Sequence, residues 1–280
     1  MRRKVPRRVR RCVFGRDPAA YDRARLTYPT AVYEVLTRRC GLAPGAAVFE
    51  VGPGTGIATR ELLRRGAGPL TLVEPDRRLA RYLVRSLGPR ADRVTVEVVP
   101  FERARLPVHG FELGVAASSF HWLPERLALR RIARALRRGG WWATWNNHHG
   151  DPARSSAFHR ALQPLYRELS PGDRRFTIDG GGGPGSRRSR AAVVKDRRDR
   201  MAALRSVGAF DRISREDFRW TVTLPTARVT GLWRSFSDIA ILPPRARARF
   251  LAGLGRVADE EFGGAVTFPM LTPLYTARRR

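Results

Sequence analysis

Lysine is almost missing from the chain. Only Lys4 and Lys195 occur in 280 residues, although lysine and arginine together number 54 against 25 acids, so nearly every cation is an arginine. A G-x-x-x-x-G-K-[ST] loop needs a lysine on phosphate oxygens, and no glycine-rich turn here supplies one, which argues against a nucleoside triphosphate site. Cysteine is equally scarce. Cys12 and Cys40 form no C-x-x-C pair and lie in no chemistry-bearing segment, which argues against a disulfide framework, a zinc site or a thiolate nucleophile. No stretch approaches the roughly 18 to 20 consecutive apolar residues that cross a bilayer. The arginine-rich beginning runs into no apolar signal region, so the expectation is a cytoplasmic chain with no membrane partner. With 42% hydrophobic residues, the chain can still bury a sizeable core.

The formal net charge of +29 is the property that favours a polyanionic partner. Its distribution weakens that reading. Residues 2–16 hold eight cations and no acid, and residues 187–200 hold seven cations against two acids. The second run follows Gly180-Gly181-Gly182-Gly183-Pro184-Gly185-Ser186, too flexible for a core. Residues 1–16 are therefore expected to be a disordered basic arm, 17–150 a ligand-binding core, and 151–280 a helical cover carrying the last two strands and a flexible loop at about 176–198. The arginine excess reads as a composition bias of the surface; a nucleic-acid partner is admitted but not favoured.

Residues Val48 to Gly56 read Val-Phe-Glu-Val-Gly-Pro-Gly-Thr-Gly. Glycine at 52, 54 and 56 removes three Cβ atoms from the turn after a buried strand, so backbone N–H groups can close on a ligand at the next helix N-terminus. A dinucleotide fingerprint counted from Gly52 requires glycine at position 57, where Ile57 stands. A second apolar run, Leu70 to Val73, ends in Glu74, placed to accept both hydroxyls of a ribose. Further runs at Ala47 to Val51, Val94 to Val99, Leu113 to Ala117 and Trp141 to Trp145 alternate with helical apolar spacing, as at Ala58 to Arg65. Another amphipathic helix follows Trp122 and stops at Gly139-Gly140. This alternation implies a doubly wound α/β fold with a mostly parallel sheet. Beyond residue 150 the expected elements are helices over Ser156 to Leu169, Arg197 to Val207, Val229 to Ser237 and Pro244 to Phe262. Strands are expected at Phe218 to Leu224 and Ala265 to Ala277.

The glycine loop, the acid at 74, Tyr21-Asp22-Arg23-Ala24-Arg25-Leu26-Thr27-Tyr28-Pro29, Phe101-Glu102, Ser119-Phe120-His121-Trp122 and Leu136-Arg137-Arg138-Gly139-Gly140 stand in one order. In that order and spacing they resemble the class I S-adenosylmethionine-dependent methyltransferases, of the small-molecule type that includes trans-aconitate methyltransferase. The resemblance implies a Rossmann-like seven-stranded sheet with one antiparallel strand and S-adenosyl-L-methionine as methyl donor to a small-molecule acceptor. It also implies that Gly52, Pro53, Gly54 and Gly56 approach the donor, Glu50 holds its amino group and Glu74 takes its ribose hydroxyls. Val73 and Pro75 flank ribose and adenine, Phe101 lies near adenine, Ser118 reaches the methionine part, and Tyr21 and Arg25 form a lid. Pro100 departs from the family, which carries Asp or Ser there, so an adenine acceptor is missing unless Glu102 substitutes. Glu112 keeps the charge of the family's Asp.

Each residue also has a plainer role. Glu50 either contacts the donor or braces the loop. His121, at the carboxyl rim of the sheet, is the candidate general base or substrate contact; Trp122 reads as wall or core. His148-His149 has no carboxylate or cysteine cluster for a metal and reads as a polar loop. Trp233, Phe236 and Leu242 are candidate acceptor-pocket walls or helix core. Oligomeric state is not encoded in any motif. Two other functions remain open: an RNA methyltransferase using the basic surface, and a non-catalytic binding module.

Overall fold

The computed structural model describes residues 13–151, 153–169 and 199–280. Seven strands form one sheet in the order β3-β2-β1-β4-β5-β7-β6. They are β1 Val48–Val51, β2 Leu70–Val73, β3 Val94–Glu97, β4 Phe111–Ala117, β5 Leu136–Trp145, β6 Phe210–Pro225 and β7 Ala265–Arg279. β1 to β5 pair in parallel, and β7 runs antiparallel to both β5 and β6. The central strands are apolar because both faces are covered: all four residues of β1 are buried. The helices are α1 Pro18–Ala24, α2 Thr30–Arg39, α3 Ile57–Arg64, α4 Arg77–Leu87, α5 Glu125–Ala135, α6 Ala157–Ala161, α7 Gln163–Leu169, α8 at 199–206, α9 Thr226–Arg234, α10 Ser237–Ala240 and α11 Pro244–Glu260.

Three apolar clusters hold these layers. Val35 and Leu36 of α2, Leu62 of α3 and Leu83 of α4 pack with Val48, Leu72 and Leu113 on one face. Leu129 and Ile132 of α5 pack with Phe49, Phe101 and Trp142 on the other. Phe158, Trp233, Leu254 and Phe268 build the core of the C-terminal cover against β7. Among the described residues no helix is long and apolar enough to cross a membrane.

Several expected boundaries move, each for a local reason. The helix after Trp122 ends at Ala135 rather than running to Gly139, because Leu136 already pairs with Phe111 as the first residue of β5. Gly140 then lies so close to the Phe111 carbonyl that a Cβ would sit 3.0 Å from its oxygen. The expected helix Ser156 to Leu169 breaks at Leu162 into α6 and α7, since Pro164 has no N–H to return to Arg160. β3 stops at Glu97, two residues early. β6 begins at Phe210 rather than Phe218, because its charged first half is tied to β7 through the Arg278–Asp211 ion pair at 2.8 Å.

Part of the arm expected at 1–16 belongs to the fold. Residues 1–12 and the expected loop at 176–198 lie outside the described residues, but Phe14–Arg16 form a 3-10 turn, and Phe14 packs on Tyr21 with ring centroids 5.3 Å apart. Arg200, counted within the second basic run, is buried against the Phe120 and Tyr275 rings and pairs with Glu125 at 3.1 Å.

Candidate functional site

Strand register builds the site. Val51 of β1 pairs with Val73 of β2, so the chain leaves both strands at one level, and the Gly52 N–H donates to the Val73 carbonyl at 2.9 Å. Ala117 of β4 likewise pairs with Trp145 of β5, and the Ser118 N–H donates to the Trp145 carbonyl at 2.8 Å. Four strand ends thus open on a single cavity of about 350 Å³ at the carboxyl edge of the sheet.

On the β1–β2 side two carboxylates face the glycine turn. Glu74 is buried; one oxygen accepts the Gly54 N–H at 3.0 Å and the other the Asp76 N–H at 2.9 Å. Glu50 is also buried. Its Oε2 accepts the Thr59 hydroxyl at 2.7 Å, while Oε1 is enclosed with no partner. Burial pushes the Glu50 carboxyl up to about 7; the Thr59 hydrogen bond opposes this, neighbouring Glu74 adds to it, and Arg60 works against it. The three glycines have positive φ for different ends. A Cβ on Gly54 would meet nothing within 4 Å, one on Gly52 would reach 2.7 Å from Ser119 Cβ, and one on Gly56 would strike Leu83 Cδ1 at 2.2 Å.

The opposite wall comes from the chain after β5 and from the cover. Asn146, Asn147 and His149 line the cavity with Phe236, Ser237 and Asp238. Asn147 is a strut: its Nδ2 donates to the Thr27 carbonyl at 3.0 Å and its Oδ1 accepts the Thr272 hydroxyl at 2.7 Å. The Arg25 guanidinium lies between the Tyr21 and Phe236 rings, 4.9 and 5.1 Å from their centroids, and its Nη2 donates to the Ser235 carbonyl at 3.0 Å. Below it the Tyr28 hydroxyl donates to Ser118 Oγ at 3.0 Å, and burial raises that phenol.

Tyr21, Arg25, Glu50, Gly52, Pro53, Gly54, Glu74, Pro75, Phe101, Ser118 and His121 all stand on the cavity wall. Gly56 does not; it caps α3 and packs on α4. Glu102 is likewise absent from the wall, so the structure gives no support to its replacing the acceptor lost at Pro100. Glu112 instead accepts the Ala47 N–H at 2.7 Å and steadies the start of β1. Of the expected walls, Phe236 lines the cavity, whereas Trp233 is core, its Nε1 donating to the Tyr166 hydroxyl at 2.7 Å. His121 is exposed at the mouth beside Trp122. Phe14, Asn146, Asn147 and His149 belong to the wall and carry no motif that announces it; Tyr28 also lines it and lies in the Tyr21-to-Pro29 segment, although the sequence reading does not single it out as a site residue. Among the described residues no cluster of three or more histidine, cysteine, aspartate or glutamate side chains could hold a metal ion.

Residues 48–140 match the methyltransferase domain family. These residues are a class I S-adenosylmethionine-dependent methyltransferase domain. The chain resembles part of ribosomal RNA small subunit methyltransferase A of Deinococcus radiodurans, 41% identical over 77 residues, which covers 27% of this chain and 26% of that one. An uncharacterized methyltransferase of Mycobacterium tuberculosis is 29% identical over 130 residues, 45% of this chain and 49% of that one. The chain thus spans half or less of the length of these curated relatives. In fold it is similar to a protein described as a methyltransferase from an antibiotic biosynthesis pathway of Anabaena variabilis, with a TM-score of 0.59 at 14% identity over 88% of this chain and 96% of that one.

The methyl donor of this domain family is S-adenosylmethionine, and the residues present suit it. Glu50 Oε1 is a buried acceptor with no partner, fit for an ammonium group. The open space beside Gly54 leaves the backbone free for close approach, and the Glu74 carboxylate stands next to it.

Proposed function

We propose that the chain is an S-adenosylmethionine-dependent methyltransferase acting on a small-molecule acceptor. The observation that carries this reading is the single cavity bounded on one side by Glu50, Gly54 and Glu74 and on the other by Arg25, His149 and Phe236. When bound, S-adenosylmethionine supplies an electrophilic methyl group on a sulfonium. What remains for the protein is to hold donor and nucleophile in line and to keep water out. Glu74 and the glycine turn hold the nucleoside end, Glu50 holds the amino group, and Phe101 and Pro75 flank the base. Phe14, Tyr21 and Arg25 close over the top. His121, at the rim, accepts a proton where the nucleophile carries one. The chain is placed in the cytoplasm in the same proposal; the free, buried Cys40 thiol agrees with a reducing compartment.

Calorimetric titration with S-adenosylmethionine and S-adenosylhomocysteine tests the reading. Saturable heat with one site per chain supports it, and no heat from either at high protein concentration ends it.

A second reading, an RNA acceptor, draws on the +29 charge and the identity shared with the ribosomal RNA enzyme. It requires RNA affinity that weakens steeply with salt. Absent or salt-independent binding removes it.

A further inference from the structure

Two polar groups on the acceptor wall keep an enclosed nitrogen without a partner, Arg25 at Nε and His149 at Nδ1. His149 follows β5 by four residues, lines the cavity, and packs against Phe236 with ring centroids 4.6 Å apart and the rings tilted by 44°. Its Nδ1 is enclosed and meets no partner. An enclosed N–H without an acceptor is costlier than an enclosed lone pair, so Nδ1 carries the lone pair and the proton resides on Nε2. The other ring nitrogen, Nε2, is then a donor. Charge would not rescue the opposite arrangement. Burial is the largest cause holding the ring neutral, and Arg25, His159 and His148 all disfavour an imidazolium.

The neighbours do not compete for that donor. Asn147 is spent on Thr27 and Thr272, and Asn146 Nδ2 lies 3.2 Å from His148 Nε2. The remaining charged groups on this wall are Asp238 and Arg25, whose guanidinium lies against two rings and donates from Nη2 to the Ser235 carbonyl while its Nε is enclosed without a partner. We propose that His149 is the specificity-determining donor of the acceptor site, its Nε2–H hydrogen-bonding an oxygen of an acceptor that carries a carboxylate or carbonyl group beside an apolar body packed on Phe236. This rests on the methyltransferase reading above. It differs from a base at His121, because His149 takes no proton and recognises the acceptor by its lone pairs.

The test begins without any acceptor. Long-range proton–nitrogen NMR on histidine-labelled protein should show His149 protonated on Nε2, bare on Nδ1, and unchanged between pH 5 and 8. A proton on Nδ1, or titration within that window, overturns the proposal. Benzoate is then titrated into the S-adenosylhomocysteine complex, with benzylamine as the probe that Asp238 would favour. The expected result is benzoate binding with a shift of the Nε2–H signal, at least a tenfold loss in H149F, and partial recovery in H149Q, whose amide still donates. S-adenosylhomocysteine affinity should change less than twofold in both variants, which also shows that they fold. Preference for benzylamine, no benzoate binding, or equal benzoate affinity in H149F overturns the assignment while leaving the donor site intact. Failure of the wild-type protein to bind S-adenosylhomocysteine sinks the parent reading instead.

Discussion

The Gly54 amide donates to the Glu74 carboxylate across 3.0 Å, joining the turn after β1 to the end of β2. Two residues twenty apart are brought together because Val51 and Val73 are in register, and the same carboxylate also holds the Asp76 amide. Glu74→Ala would leave both N–H groups without this acceptor, at about 1–3 kcal/mol each where water cannot replace it. The expected outcome is a loss of donor affinity of at least tenfold by calorimetry, together with a lower melting temperature. Glu74→Gln keeps one acceptor oxygen and should fall between the two.

Gly54 and Gly56 separate binding from stability. Both have positive φ, but a Cβ on Gly54 would enter open space beside the cavity, and one on Gly56 would strike Leu83. Gly56→Ala should destabilise by about 2–5 kcal/mol, combining left-handed strain with overpacking, and Gly56→Ala in a Leu83→Ala background should recover part of it. Gly54→Ala should cost only about 1–3 kcal/mol of stability from strain. Its donor affinity should fall, and calorimetry beside urea melts would expose the contrast.

Why the glycine turn and Glu74 could be read from sequence while the opposite wall could not is a matter of how each is specified. The turn needs missing Cβ atoms and the acid needs a strand end, and both leave marks in a few consecutive residues. His149 and Asn147 are placed by tertiary contacts, Phe236 and Thr272, more than 80 residues away. Phe14 sits at the end of a run of arginines, where charge masks one anchoring ring. The parallel part of the sheet followed from the alternation of apolar runs, and its completion to seven strands from the family resemblance. The first half of β6 escaped because its ladder is satisfied by β7 while its side chains are charged and partly exposed.

Glu50 should make donor binding release a proton. Its carboxyl is raised to about 7 by burial, so near pH 6 the unligated protein holds it largely protonated, and an ammonium group at Oε1 favours the ionised form. Heats measured in buffers of different ionisation enthalpy should therefore differ at pH 6 and converge above pH 8; Glu50→Gln should abolish the difference. The sign for stability follows. A carboxyl raised from 4.5 in the unfolded chain to about 7 in the fold contributes stability that is complete below about 4.5 and lost as pH rises through 7. The loss is on the order of 3 kcal/mol, and urea melts of the unligated protein against Glu50→Gln would measure it.

His159 acts on the opposite limb. Both ring nitrogens are buried without a partner among Phe158, Trp233 and Phe268, and burial lowers the imidazole from 6.5 to about 3. The unfolded chain binds this proton between those values and the fold does not. Stability from His159 is therefore full above about 6.5 and falls as pH drops toward 3, by on the order of 4–5 kcal/mol. His159→Leu removes two unsatisfied nitrogens from an aromatic box at similar volume, so it should be neutral or stabilising at pH 8 and clearly stabilising at pH 5. Urea midpoints at the two pH values would show this as a widening gap between variant and wild type. A gap that stayed constant would mean that the ring is already protonated inside the fold, or already reached by water.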